Sequence, residues 1–76
     1  MKYELVPGHA YRATLSLGFF EKFASNATIS AKLTDAGFVD VIVTGSGPER
    51  VATGEWGGAA QTVDLPSQIQ HVEAVS

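Results

Sequence analysis

Between Ala10 and Leu17 the chain alternates without a break, Tyr11, Ala13, Leu15 and Leu17 falling to one side and Arg12, Thr14 and Ser16 to the other. A period of two over this length predicts a β-strand with one buried and one solvated face. The buried face needs a cover, and a chain of 76 residues has few segments from which to make one. The stretch from about Gly18 to Ala36 is the best candidate.

That stretch is helical in pattern, but its phase changes midway. Phe19, Phe20 and Phe23 point in one direction, while Ile29, Leu33 and Ala36 point in another, turned by roughly 120° at 100° per residue. One straight helix cannot aim both groups at one core. Ser25 and Asn26 lie between them, and both are good N-cap residues. The pattern therefore predicts a kinked segment, with a short phenylalanine-bearing turn followed by a helix from about Ala27 to Asp35. Gly37 is placed to end that helix in the left-handed conformation. Asn26-Ala27-Thr28 has the form of a glycosylation sequon, and its position makes helix capping the preferred reading.

The remaining segments read as strands and turns. Val6-Pro7-Gly8-His9 suits a type II turn, since proline fixes its own φ and glycine accepts a positive one. It predicts an N-terminal hairpin joining Lys2–Val6 to the alternating strand. Phe38 to Thr44 is β-branched and apolar, as a central strand should be. Gly45 to Pro48 is a turn cluster, and Glu49 to Trp56 is the return strand of a second hairpin. Gly54 within it signals a bulge or a close backbone approach. Gln61 to Leu65 is extended up to Pro66. In the tail, Ile69, Val72 and Val75 fit a helical spacing and Val72 and Ala74 a strand; a strand after a short turn is preferred.

The expected fold is α+β. A largely antiparallel sheet of about four strands carries the kinked helical segment (about 18–36) on one face, with a β-hairpin at the N-terminus. The expected core is Phe20, Phe23, Ile29 and Leu33 from the helical segment, and Leu15, Leu17, Val41, Val43, Val51 and Val63 from the strands. Small domains usually need a staple to be stable. With no cysteine in the chain, disulfides and thiolate metal sites are excluded, which leaves packing or association with another chain.

The residue inventory argues against several function classes. The net charge of −3 is mild, and the five basic residues are scattered along the chain, so the basic stripe of a nucleic-acid binder is missing. The longest apolar run, Gly37 to Val43, is too short to cross a bilayer. No apolar segment follows a basic one at the N-terminus, so no signal peptide is expected, and a cytoplasmic or virion-associated location follows. His9 and His71 stand near opposite ends without metal-ligand spacing, so no metal is expected. Gly45-Ser46-Gly47 is shorter than a nucleophile elbow, and neither glycine cluster has the pattern of a phosphate cradle. Neither an enzyme nor a cofactor is expected.

What remains is a surface. Arg50, Ala52, Gly54 and Trp56 share one face of their strand, a track of small residues with an arginine at one end and the single tryptophan at the other. Arginine and tryptophan are enriched at binding hot spots, and an indole suits stacking on a sugar. Trp56, Arg50, Tyr11 and Gln61 form the candidate ligand- or partner-binding set, against the plainer reading that Trp56 packs under the helix.

The order of elements resembles the first half of the SPOR family of small peptidoglycan-binding domains. The strand Tyr11 to Leu17, the helix ending Ala31-Lys32-Leu33-Thr34-Asp35-Ala36-Gly37-Phe38, the strand Val39 to Val43 and the Arg50-bearing strand carry the likeness, over roughly residues 10–56. After Trp56 such a domain supplies a second amphipathic helix, which Gly57 to Leu65 cannot form. The resemblance implies helices packed on one face of a sheet, and peptidoglycan as a ligand class. The leading functional expectation is a non-catalytic protein-interaction or assembly module, such as a phage or bacterial accessory protein, with a protein partner or self-association. The alternative is a glycan-binding module.

Overall fold

The alternating stretch is a strand, β2 (Ala10–Ser16), in a computed structural model that describes residues 2–18 and 24–75. The other elements are β1 (Lys2–Leu5), α1 (Asn26–Ala36), β3 (Phe38–Ser46), β4 (Glu49–Trp56), β5 (Gln61–Asp64) and β6 (Ile69–Ala74). A four-stranded sheet runs in the order β3-β4-β2-β6, antiparallel throughout, and a separate ribbon pairs β1 with β5. The helix packs against the four-stranded sheet beside β3. The chain is α+β, as the patterning required.

Local chemistry sets the element ends. Ser25 is the N-cap, extended at φ −74° and ψ 156°, and its Oγ accepts a 3.1 Å hydrogen bond from the Thr28 amide. Gly37 closes the helix at φ 122°, and its amide bonds the Leu33 and Thr34 carbonyls. The β3–β4 hairpin turns on Gly47-Pro48, with Gly47 at φ 68°. Glycine at the first central position suits a type II′ turn, whose twist matches that of the flanking strands. The phenylalanine-bearing half of the expected kinked segment, with Phe20 and Phe23, lies outside the described residues.

The N-terminal hairpin needs correcting. The turn forms as expected, His9 donating to the Val6 carbonyl at 3.2 Å and Gly8 at φ 82°. Yet β1 pairs with β5, from Lys2 opposite Asp64 to Leu5 opposite Gln61, and β2 lies between β4 and β6. The turn chemistry explains the outcome. A type II turn twists against a two-stranded ladder and splays its strands, so Pro7-Gly8 sends β1 into a second layer.

That second layer completes the core. Leu5, Tyr11 and Trp56 form the buried cluster, with Tyr3, Phe38, Val63 and Val72 packed against it. Leu15 and Ala52 are also buried, and Leu17, Ile29, Leu33, Val41, Val43 and Val63 are half-buried. Val51 is not a core residue. It lies opposite Thr14 and Thr44, on the solvent side of the sheet. With Arg50 and Ala52 facing inward, a strand of period two must turn Val51 outward.

Candidate functional site

Arg50 and Trp56 do share one face of β4, but it is the inner one. Trp56 is 3% exposed and Arg50 5%. Six residues of strand separate them by about 20 Å, so they cannot converge on one small ligand. Tyr11 is buried beside Trp56, and Gln61 is exposed on the β1–β5 ribbon.

The indole is boxed in. Phe38 meets it edge-on with ring centroids 4.9 Å apart. A Cβ placed on Gly37 would sit 3.0 Å from the ring, and one on Gly58 only 2.6 Å from it. The two glycines let backbone lie where side chains would clash. The Trp56 Nε1–H donates to the Ala59 carbonyl at 2.8 Å, so the polar edge is satisfied inside the fold. No ring face is presented on the outer surface for a sugar to stack on. Tyr11 is held in the same way, its hydroxyl accepting from the Val6 amide at 2.8 Å and its ring meeting Tyr3 edge-on at 5.8 Å.

Arg50 serves the other end of the sheet. Its Nε donates to the Gly47 carbonyl at 3.0 Å, and a terminal nitrogen donates to Asn26 Oδ1 at 2.8 Å. Asn26 in turn donates through Nδ2 to the Gly45 carbonyl at 3.1 Å. The guanidinium thus ties the β3–β4 turn to the first residue of α1. Gly45 makes this closeness feasible: at φ 100°, a Cβ there would lie 2.6 Å from the Glu49 carbonyl oxygen.

Two surfaces stand out from the geometry. The first is a cavity of about 320 Å³ between the four-stranded sheet, the helix and the β1–β5 ribbon. Its floor is made of Ala13, Ala52 and Gly54, and Tyr11, Phe38 and Trp56 stand around them. Ala13 lies opposite Ala52, and Gly54 opposite Tyr11, so three small residues meet across neighbouring strands. The β3 bulge between Val39 and Ile42 lies across from Gly54, the glycine that had signalled a bulge or close approach. The sequence signal for the cavity was there: small residues at inward positions of adjacent strands.

The second surface is the outer face of the sheet. Thr14, Thr44, Thr53, Arg12, His71 and Glu73 line it, with Val51, Ile42 and Val39 toward β3. Arg12 and Glu73 form an ion pair at 2.6 Å, both exposed. The Arg12 hydrogen bond and charge hold the Glu73 carboxyl below its ordinary range. A depressed folded pKa stabilises the fold above the unfolded value, and that contribution is lost as pH falls through the folded one. The pair is solvated, so its share of stability is small. In a carbon-detected NMR titration, Glu73 is expected to ionise at lower pH than a free glutamate, and Arg12→Gln to return it to the ordinary range.

Among the described residues, no group of three or more histidine, aspartate or glutamate side chains is placed to hold a metal, and no helix is long and apolar enough to cross a membrane. Comparison with protein-family models, with curated proteins and with solved structures gave no match.

Proposed function

We propose that this chain is a non-catalytic protein-interaction module that associates with a second copy of itself through the outer face of the four-stranded sheet, on its β3 side. The supporting observation is the cluster of aliphatic side chains there. Ile42 is 62% exposed, and Val39 and Val51 are exposed with it. Ile42 lies opposite Thr53 and Val51 opposite Thr44, which makes Ile42 and Val51 diagonal neighbours on one surface. Val39, opposite Glu55, extends the same strip. Threonines fill the places between, so the strip offers methyl groups and few charges, the composition of an interface centre.

Face-to-face packing fits better than strand addition along β3. The bulge at Asp40, with φ 54°, disrupts the ladder in the first half of β3, as bulges do on protected edges. In the second half, the Gly45 carbonyl already accepts from Asn26. The side-chain face remains open where the backbone edge is obstructed.

Sedimentation equilibrium across a hundredfold concentration range tests the reading. The native chain is expected to dimerise, and Ile42→Lys to be monomeric with an unchanged circular dichroism spectrum and melting temperature. A native chain that stays monomeric at millimolar concentration overturns the proposal.

A further inference from the structure

We propose that the cavity beneath the sheet is a binding site for one small, uncharged apolar molecule. Its volume of about 320 Å³ lies at the lower end of the range for small-molecule pockets. An apolar cavity of about 150 Å³ accommodates a single benzene ring, so this one suits two fused or linked rings, or an acyl chain of similar bulk. The walls are aromatic and aliphatic over nearly their whole extent, with Gln61 and Asp64 the polar residues contributed by the ribbon. Water is weakly held by such walls, because the polar partners it needs are confined to Thr53, Gln61 and Asp64.

Three features favour a small ligand over a protein partner. The site is concave and bounded on separate sides by the sheet, the helix and the ribbon, so a flat protein face cannot enter. The volume lies over the floor residues Ala13 and Ala52, whose side chains are too short to fill it, whereas the space over Gly54 is taken by Val41 and Phe38. Finally, the aromatic rings around it are held by the fold itself, Trp56 through Ala59 and Tyr11 through Val6, so the walls are preorganised. This site is separate from the outer face proposed for self-association, and either assignment can fail without the other.

The test is a titration of the full chain with N-phenyl-1-naphthylamine, an uncharged two-ring fluorophore. Trp56, the only tryptophan, lines the cavity, and its emission reports occupancy directly. The expected result is saturable binding of one probe per chain, quenching of Trp56 emission, and a melting temperature that rises with probe concentration, since a ligand of the folded state stabilises it. Ala13→Leu and Ala52→Leu fill the floor and are expected to weaken binding by about tenfold or more while preserving cooperative melting. A linear, non-saturating response overturns the proposal. So does probe uptake that lowers the melting temperature, which marks entry into a loosened state, or undiminished affinity in a folded variant. Should both variants fail to fold, the stoichiometry and melting shift of the native chain decide.

Discussion

Trp56→Ala is expected to abolish the folded state at physiological temperature or leave it barely stable. Removing a buried tryptophan costs about 3–5 kcal/mol, and small domains have a total stability of about 5–15 kcal/mol, with the shortest chains at the lower end. At about 4–8 °C per kcal/mol for a domain of this size, the melting temperature falls by roughly 12–40 °C. Two of the positions against its ring are glycines, Gly37 and Gly58, which bring no side chain to fill the space the indole would leave. Trp56→Phe keeps most of the apolar contact with Phe38 but leaves the Ala59 carbonyl without its 2.8 Å donor, so it should cost about 1–2 kcal/mol. Thermal melts followed by circular dichroism measure both. If Trp56→Ala melts within a few degrees of the native chain and loses an interaction instead, the indole is a contact surface and its packing role is refuted.

The strands were readable because each rests on local information. The alternation of Ala10–Leu17, the β-branched run after Gly37 and the extended piece before Pro66 all became strands, though the β-branched run lies at the edge of its sheet and not at the centre its apolar residues suggested. So did the helix limits, since Ser25 and Gly37 act through their own backbone geometry. Pairing was harder to read, because it depends on partners distant in sequence. Pro7-Gly8 looked like a hairpin turn from its residues, and only the twist of a type II turn separates a hairpin from a corner. The site reading turned on a choice of face. The grouping of Arg50, Ala52, Gly54 and Trp56 was correct, but periodicity says only which residues lie together and not which side meets water. Val51 could have decided it. A strand that places Arg50 and Trp56 outward must bury Val51, and one that buries Trp56 must expose it. The guanidinium obscured the answer, since an arginine is expected outside unless its donors find acceptors within the fold.

Those acceptors make Arg50→Ala the second substitution with a large effect, an expected loss of about 2–4 kcal/mol. Hydrogen bonds to a charged group contribute about 1.5–3 kcal/mol, and the truncation removes those to the Gly47 carbonyl and to Asn26 Oδ1. The loss is not confined to the turn. Asn26 is the first residue of α1 and also holds the Gly45 carbonyl, so releasing it loosens the seam between helix and sheet. A helix of 11 residues with none of them buried depends on such ties, because helices this short are marginal on their own. Arg50→Lys keeps the charge but replaces a planar fork with a single ammonium, which cannot serve two acceptors in the same geometry, so it should recover only part of the stability. A double-mutant cycle with Asn26→Ala isolates the shared bond, with an expected coupling of about 1–2 kcal/mol in urea melts. A coupling near zero, with Arg50→Ala as stable as the native chain, would mean that the arginine is spare for binding after all and that the helix is anchored by its apolar side alone.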